Sequence, residues 1–143
     1  MELGTFGAVM AFASQVVAQS VAFYESACSV TPGSDLQAVL RSLADEGQRD
    51  QVTIVQARRE NVTEMILEPI AGLRQQEYQV TVEEPAIGSE AAILGAALLL
   101  AERDYRFFTD SSAKLPLPEV ARIFRRVAHR KEREVARLRA LAS

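Results

Sequence analysis

The sequence repeats one pattern at a fixed offset of 84 residues, and this internal duplication limits the possible folds more than any other feature. The segment Leu43–Asp50 (LADEGQRD) aligns with Val127–Glu134 (VAHRKERE), and each follows an aromatic pair, Phe23-Tyr24 or Phe107-Phe108. Other pairs matched at this offset are Pro32 and Pro116, Leu36 and Val120, Leu40 and Phe124, Ala44 and Ala128, and Arg49 and Arg133. An offset kept across two helices and their connecting loop indicates a duplicated helical hairpin.

Length and composition fit one packed helical domain spanning residues 1–143. Hydrophobic residues make up 48% of the chain and aromatic residues only 6%. The net charge of −3 gives no general reason to expect nucleic acid or a membrane surface as a partner. The single Cys28 cannot form an internal disulfide, which favours a reducing, cytoplasmic location.

The N-terminal segment from Leu3 to Tyr24 has no charged residue, and its length is nearly enough to span a bilayer. Gln15 and Gln19 interrupt it, and Met1-Glu2 offers no basic region of the kind that begins a signal peptide. We therefore predict a buried helix rather than a membrane span. A helix apolar on nearly all sides also predicts a self-association surface.

Apolar periodicity and proline positions predict four helices. Their expected bounds are about Thr5–Ala27, Asp35–Leu67, Ser89–Asp110 and Glu119–Ala142. The two hairpins then cover about 5–68 and 90–142, and residues 69–89 form an extended crossover in which apolar and polar residues alternate. A second apolar stripe on helix two either packs under the crossover or forms a dimer contact; its members are Val52, Val55, Val62 and Ile66.

Two short-looped hairpins joined by one long crossover are typical of a ferritin-like four-helix bundle, so the predicted fold class is all-α. With its aromatic pairs and its Leu-Ala and Val-Ala motifs, the chain resembles the rubrerythrin branch of the ferritin-like superfamily. The resemblance implies two metal ions between the helices. In the family, each half supplies a Glu six residues before the aromatic pair, and an E-x-x-H motif whose two ligands share one helix face.

None of the six family ligand positions keeps its residue type in this sequence. The Glu positions fall on Val17 and Ala101, and the E-x-x-H positions fall on Gly47 with Asp50 and on Lys131 with Glu134. Two such motifs need two histidines, and the chain has one. A shift of one residue offers only scattered alternative ligands: Glu46, Glu102, His129 and Glu132. The resemblance therefore implies a lost site, with no metal or other cofactor bound.

Lys131 interrupts the apolar face of helix four where the family places a carboxylate. We predict that its ammonium pairs with Asp50, Glu134 or both, because an unpaired buried ammonium would cost several kcal/mol. The alternative is that Lys131 reaches solvent from the margin of the core. No substrate pocket, phosphate loop or nucleophile motif accompanies this cluster, so catalysis is not predicted.

Helix four is basic: residues 119–143 carry a net charge of +5, and the rest of the chain carries −8. One interpretation is a nucleic-acid contact. The favoured one is a solvated face, His129 included, that pairs with the acidic crossover residues Glu77, Glu83, Glu84 and Glu90.

The function expected from the sequence is that of a non-catalytic interaction or scaffold protein that has lost its di-iron site. We expect a homodimer through helix one, helix two or both, with an unknown protein partner possible and neither nucleic acid nor membrane as partner. The alternative is a rubrerythrin-like iron-binding protein or di-iron oxidoreductase with a displaced site, whose cofactor would be iron.

Overall fold

The computed structural model describes residues 2–61, 69–85 and 89–142 and has the architecture of an all-α four-helix bundle. The helices are α1 (Phe6–Ser29), α2 (Asp35–Glu60), α3 (Glu90–Lys114) and α4 (Pro118–Ala142). Helix α1 packs along α2 and α3 packs along α4, while α1 also contacts α3 and α2 contacts α4. The predicted arrangement of two helical hairpins is confirmed.

Local signals in the sequence explain where three of the helices begin. The hydroxyl of Thr5 accepts a hydrogen bond from the Ala8 amide at 3.0 Å, and the hydroxyl of Ser34 accepts one from the Gln37 amide at 2.9 Å. Side-chain oxygens at these positions satisfy amide groups that have no partner within the helix. Pro118 is the first residue of α4, where its missing amide hydrogen costs nothing.

Two helix ends differ from the prediction by several residues, while α1 ends at Ser29, two residues later than predicted. Helix α2 ends at Glu60 instead of Leu67, because the amide group and the side chain of Asn61 both bond the Ala57 carbonyl and close the last turn. Val62, Ile66 and Leu67 lie outside the described residues. Helix α3 continues beyond Asp110 to Lys114 and stops before Pro116, whose ring disfavours a helical conformation at Leu115.

The crossover between the hairpins packs on α1 and α3. The side chain of Gln19 donates to the Val80 carbonyl at 2.8 Å, and the Tyr78 hydroxyl donates to Asp110 on α3. A 3₁₀ turn at Gln75–Tyr78 interrupts the path predicted to be wholly extended. After it, half-buried Val80 and Val82 alternate with exposed Gln79 and Thr81, as predicted.

Helix α1 is long and apolar enough to cross a membrane by length and composition, although 56% of its apolar window is buried against the rest of the protein. The core residues of α1 meet α2, α3 and the crossover. Its exposed positions are small or polar, with Gln15, Ala18 and Ala22 among them. The bundle and its crossover thus account for most of the apolar surface of this helix.

The core consists of two apolar clusters, one toward each end of the bundle. One cluster is centred on aromatic residues, with Phe107 packed edge-on against Phe12 and Phe108. The other contains aliphatic residues such as Leu40, Leu43 and Leu100. On α2, α3 and α4, the buried residues between the two clusters are charged or, at Gly47, have no side chain. They form a layer across the middle of the bundle, and this layer contains the candidate site.

Candidate functional site

The middle layer of the bundle contains five buried ionisable side chains. Asp50, Arg103, Lys131 and Glu134 are each 1% exposed, and Asp104 is fully buried. Charged groups are rarely buried to this extent unless they are paired, because leaving water costs several kcal/mol per ion. We call these five residues the charge layer.

Lys131 lies at the centre of one half of the charge layer. Its Nζ atom is 3.0 Å from Oδ2 of Asp50 and 3.3 Å from Oε2 of Glu134. Burial opposes the ammonium, but the carboxyl groups of Glu134, Asp50 and Asp104 together raise the pKa of Lys131 above its ordinary value. The ion pair predicted from the sequence is confirmed, and the alternative in which Lys131 reaches solvent is wrong.

Asp50 has a second cationic partner that the sequence analysis did not identify. Arg130 donates to Oδ1 of Asp50 from Nε at 3.0 Å and from Nη2 at 2.5 Å, while its own side chain is 31% exposed. Asp50 thus places one oxygen near Lys131 inside the bundle and the other on Arg130 at its edge. The Arg130 contact connects the charge layer to the surface between α2 and α4.

The other half of the charge layer is an Arg103–Asp104 pair that the sequence analysis also missed. Nε of Arg103 donates to Oδ1 of Asp104 at 2.7 Å, and the Ser20 hydroxyl donates to Oδ2 at 2.7 Å. The same guanidinium donates to the carbonyls of Val16 on α1 and Tyr78 in the crossover, at 3.2 and 3.0 Å. Arg103 therefore joins α1, α3 and the crossover. Burial raises the pKa of Asp104 although Arg103, Lys131 and Ser20 oppose the change.

A sequence signal for the missed residues exists. Ser20 and Asp104 are themselves 84 residues apart, so they are a matched pair of the duplication. Each lies three residues after a family ligand position, Val17 or Ala101, and therefore on the same helix face. Extending the offset comparison by one helical turn would have revealed them.

Glu134 is the least satisfied member of the charge layer. Burial raises its pKa to about 8, since it outweighs the attraction of Lys131 and is reinforced by the nearby Glu46 carboxyl. Oε1 of Glu134 is buried without a hydrogen-bond donor among the described residues. A proton on Glu134 makes its carboxyl group a hydrogen-bond donor, for which the Glu46 carboxyl is the nearby acceptor. Burial, reinforced by Asp104 and Glu134, also raises the pKa of the Tyr24 hydroxyl.

The residues at the family ligand positions do not fit a metal ion. Val17, Gly47, Asp50, Ala101, Lys131 and Glu134 are all buried, as inward-facing ligand positions would be. Val17 and Ala101 have no donor atom, and the Lys131 ammonium lies between the carboxyl groups of Asp50 and Glu134, where it repels a cation. A side chain longer than Gly at position 47 would also lack space, because an added Cβ would lie 2.4 Å from Cγ2 of Val21.

The four alternative ligands from the sequence do not converge either. Glu46 is half-buried near Glu134, and Glu102 is bound to Arg139 at 3.0 Å near the surface. His129 and Glu132 are exposed on α4. Within the described ranges, no group of three His, Cys, Asp or Glu residues is placed to hold a metal ion.

The expected pairing of α4 with the acidic crossover is not found. The outward ion pairs of α4 join Arg130 to Asp50 on α2 and Arg139 to Glu102 on α3. Among residues 2–61, 69–85 and 89–142, no ion pair links α4 to the crossover, because α4 packs on α2 and α3 whereas the crossover packs on α1 and α3. His129 is exposed, as expected.

Comparisons with known proteins support the fold alone. No family profile matches the sequence, and no curated protein matches it. A solved structure of a hypothetical protein from Pyrococcus furiosus is similar, with a TM-score of 0.68 and 16% sequence identity. The similarity covers 92% of this chain and 84% of that one. The four-helix arrangement is therefore shared with a solved structure.

Proposed function

We propose that this chain is a ferritin-like bundle in which buried ion pairs have replaced the di-metal centre, and that it acts as an interaction or scaffold protein. The observation that carries the proposal is the position of Lys131. Its ammonium lies between Asp50 and Glu134, two of the carboxyl groups at family ligand positions. A cation fixed to the chain thus supplies the charge that metal ions supply in the family.

The charge layer is better suited to structure than to catalysis. Its ionisable groups are at most 1% exposed, so a substrate cannot reach them without opening the bundle. A lysine that forms a Schiff base must be neutral and accessible. Lys131 is neither, because its carboxyl neighbours raise its pKa and surrounding side chains cover it.

Iron loading tests the proposal directly. The purified protein would be incubated anaerobically with excess ferrous iron, desalted, exposed to oxygen and analysed for metal and for absorption. We expect well under one iron per chain and no absorption band from an oxo-bridged pair. Two irons per chain with such a band would overturn the proposal in favour of a rubrerythrin-like iron protein or di-iron oxidoreductase.

A pair of variants tests whether Lys131 excludes the metal. Lys131→Glu adds a carboxylate beside Asp50, Asp104 and Glu134, whereas Lys131→Gln removes the positive charge without adding a ligand. We expect Mn²⁺ to raise the melting temperature of Lys131→Glu and to leave Lys131→Gln and the wild type unchanged. If Mn²⁺ stabilises the wild type as much as Lys131→Glu, Lys131 does not take the place of a metal and the proposal fails.

We further propose that the protein forms a homodimer through the outer surface of α2 and the adjoining part of α1. Val52 is 66% exposed and Val55 is 46% exposed, in a shallow groove that Ser14 of α1 also lines. Exposed apolar residues grouped in this way are typical of a contact surface. At about 500 mM NaCl, which screens contacts between exposed charges, the Val52→Glu/Val55→Glu double variant should be a monomer by size-exclusion chromatography with light scattering. The control Thr109→Glu, at an exposed position of α3 outside this groove, should stay dimeric. A wild type that is monomeric at micromolar concentration would contradict the dimer.

A further inference from the structure

A second surface of the bundle combines exposed apolar area with uncompensated negative charge. A cleft of about 310 Å³ lies between the crossover and the first half of α3. Val82, Pro85 and Leu99 line it, and Leu99 is 53% exposed. Glu83 and Glu84 line the same cleft. We call this surface the acidic cleft.

The negative charge of the acidic cleft has no local counterion. No Lys or Arg occurs from residue 75 to residue 102. Glu83, Glu84 and Glu90 are exposed, and none of them forms an ion pair with another described residue. A partner for this surface therefore needs an apolar region that can cover Leu99 and cationic groups around that region.

Helix α4 presents the opposite charge. Arg122, Arg126, His129 and Arg133 recur at intervals of three or four residues, so they share one helix face, and all four are exposed. None of the three arginines forms an ion pair within the described parts of the chain. We call these four residues the arginine face. Within the described residues, α4 packs on α2 and α3 whereas the crossover packs on α1 and α3, so the two surfaces do not meet in one molecule.

We propose that the arginine face of one copy docks on the acidic cleft of a second copy. A guanidinium can bind a carboxylate through two parallel hydrogen bonds, and its aliphatic stem can cover an apolar side chain such as Leu99. The two surfaces differ, so the contact is heterologous: each bound copy keeps one free surface of each kind and can bind another copy. This head-to-tail assembly is independent of the α2 contact and of the metal site.

A second copy fits the arginine face better than nucleic acid does. The whole chain has a net charge of −3, and the acidic cleft would repel phosphate groups. The described outer surface of α4 also has no exposed aromatic residue on which a base could stack. The acidic cleft of a second copy, in contrast, supplies carboxylates as ion-pair partners for these arginines.

Charge-reversal variants can separate the two surfaces. Both are made in the Val52→Glu/Val55→Glu background, so that the α2 contact does not contribute. One variant carries Glu83→Arg and Glu84→Arg and keeps its arginine face; the other carries Arg126→Glu and Arg133→Glu and keeps its acidic cleft. The matched control carries Arg58→Glu and Arg59→Glu, two exposed positions at the end of α2. Circular dichroism verifies that every variant is folded.

Light scattering then measures the mass as a function of concentration, at about 50 mM and about 500 mM NaCl. We expect the background protein and the Arg58/Arg59 control to grow in mass with concentration at low salt only. Each charge-reversal variant alone should stay at the mass of one chain. An equimolar mixture of the two should again grow in mass with concentration at low salt, because the unchanged arginine face meets the unchanged acidic cleft and the reversed face meets the reversed cleft.

Two results would overturn the proposal. If the mixture keeps the mass of its separate components, or if either variant alone still assembles, the arginine face and the acidic cleft do not bind each other. If a labelled oligonucleotide binds the wild type but not the Arg126→Glu/Arg133→Glu variant, and the mixture does not assemble, the arginine face instead serves a nucleic acid.

Discussion

The two hairpins of the bundle contribute very different residues to its centre, although one pattern underlies both. At equivalent positions, hairpin one supplies small or apolar residues and a single acid, and hairpin two supplies two acids and a lysine. The matched pairs are Val17 and Ala101, Ser20 and Asp104, Gly47 and Lys131, and Asp50 and Glu134. The duplication thus preserves the packing of the helices without preserving the chemistry between them.

Because of this difference, the two hairpins fill the centre of the bundle in different ways. Gly47 lets α1 approach α2 so closely that a Cβ atom would lie 2.4 Å from Val21. Its counterpart Lys131 is one of the largest fully buried side chains and extends into the charge layer. Hairpin one is closely packed and contributes a single buried charge among its described residues. Hairpin two contributes several buried charges, which need partners from both hairpins. Asp50 and Ser20 are the groups through which hairpin one supplies them.

The largest effect is expected at Asp104, which belongs to hairpin two. Asp104→Ala leaves the Arg103 guanidinium buried without its carboxylate, so the free energy of unfolding should fall by about 3–5 kcal/mol. Urea denaturation near neutral pH measures this change. The control Ser20→Ala removes one hydrogen bond to the same carboxylate and should cost only about 1 kcal/mol. Equal effects of the two substitutions would show that the charge of Asp104 is unimportant.

A somewhat smaller effect is expected at Asp50, the acid that hairpin one supplies. Asp50→Ala removes a partner of Lys131, and the expected loss is about 3 kcal/mol, because Glu134 remains close and Arg130 can turn to solvent. Lys131→Met leaves buried Asp50 with Arg130 as its remaining cationic partner, so it should also destabilise the protein, by up to about 3 kcal/mol. Thermal and urea unfolding compare the two variants. An unchanged melting temperature for Asp50→Ala would mean that the pair contributes nothing.

The sequence predicted the helices that hold this site better than the full set of residues within it. The 84-residue offset led to the four helices and to the pairing of Lys131 with Asp50 and Glu134, because helical periodicity fixes which residues face inward. It missed Ser20, Asp104 and Arg103 because the family ligand positions stop one turn earlier on α1 and α3. The contact of Arg103 with the Tyr78 carbonyl depends on the path of the crossover, which no local pattern determines.

The pH dependence of stability tests the protonation of Glu134. Burial raises its pKa to about 8, so above its ordinary pKa of 4.5 the folded protein holds a proton that the unfolded chain releases. The free energy of unfolding should therefore fall as the pH rises, by on the order of 2 kcal/mol between about pH 6 and pH 8. The pKa of Asp104 is also raised, so this carboxyl contributes a slope of the same sign above its ordinary pKa.

Glu134→Gln is the matched control for this pH dependence. The amide copies the shape of the protonated acid and cannot ionise, so the variant should lose most of the slope while keeping its stability near pH 6. Guanidinium unfolding at a series of pH values provides the measurement. A wild type that becomes more stable from pH 6 to pH 8 would show that Glu134 is ionised in the folded protein.

The smallest effect concerns the close approach of α1 and α2, and it tests whether the two hairpins are packed as differently as they are charged. Gly47→Ala places a methyl group against Val21 Cγ2 and should destabilise the protein by about 1–2 kcal/mol, since the valine can yield partly by rotating. The matched control is Gly95→Ala on α3, where an added Cβ meets no atom within 4 Å. There, the higher helix propensity of alanine should stabilise the protein by about 0.5–1 kcal/mol. Differential scanning calorimetry would show opposite shifts in melting temperature. Shifts of the same sign would mean that α1 and α2 leave enough space for a methyl group at position 47.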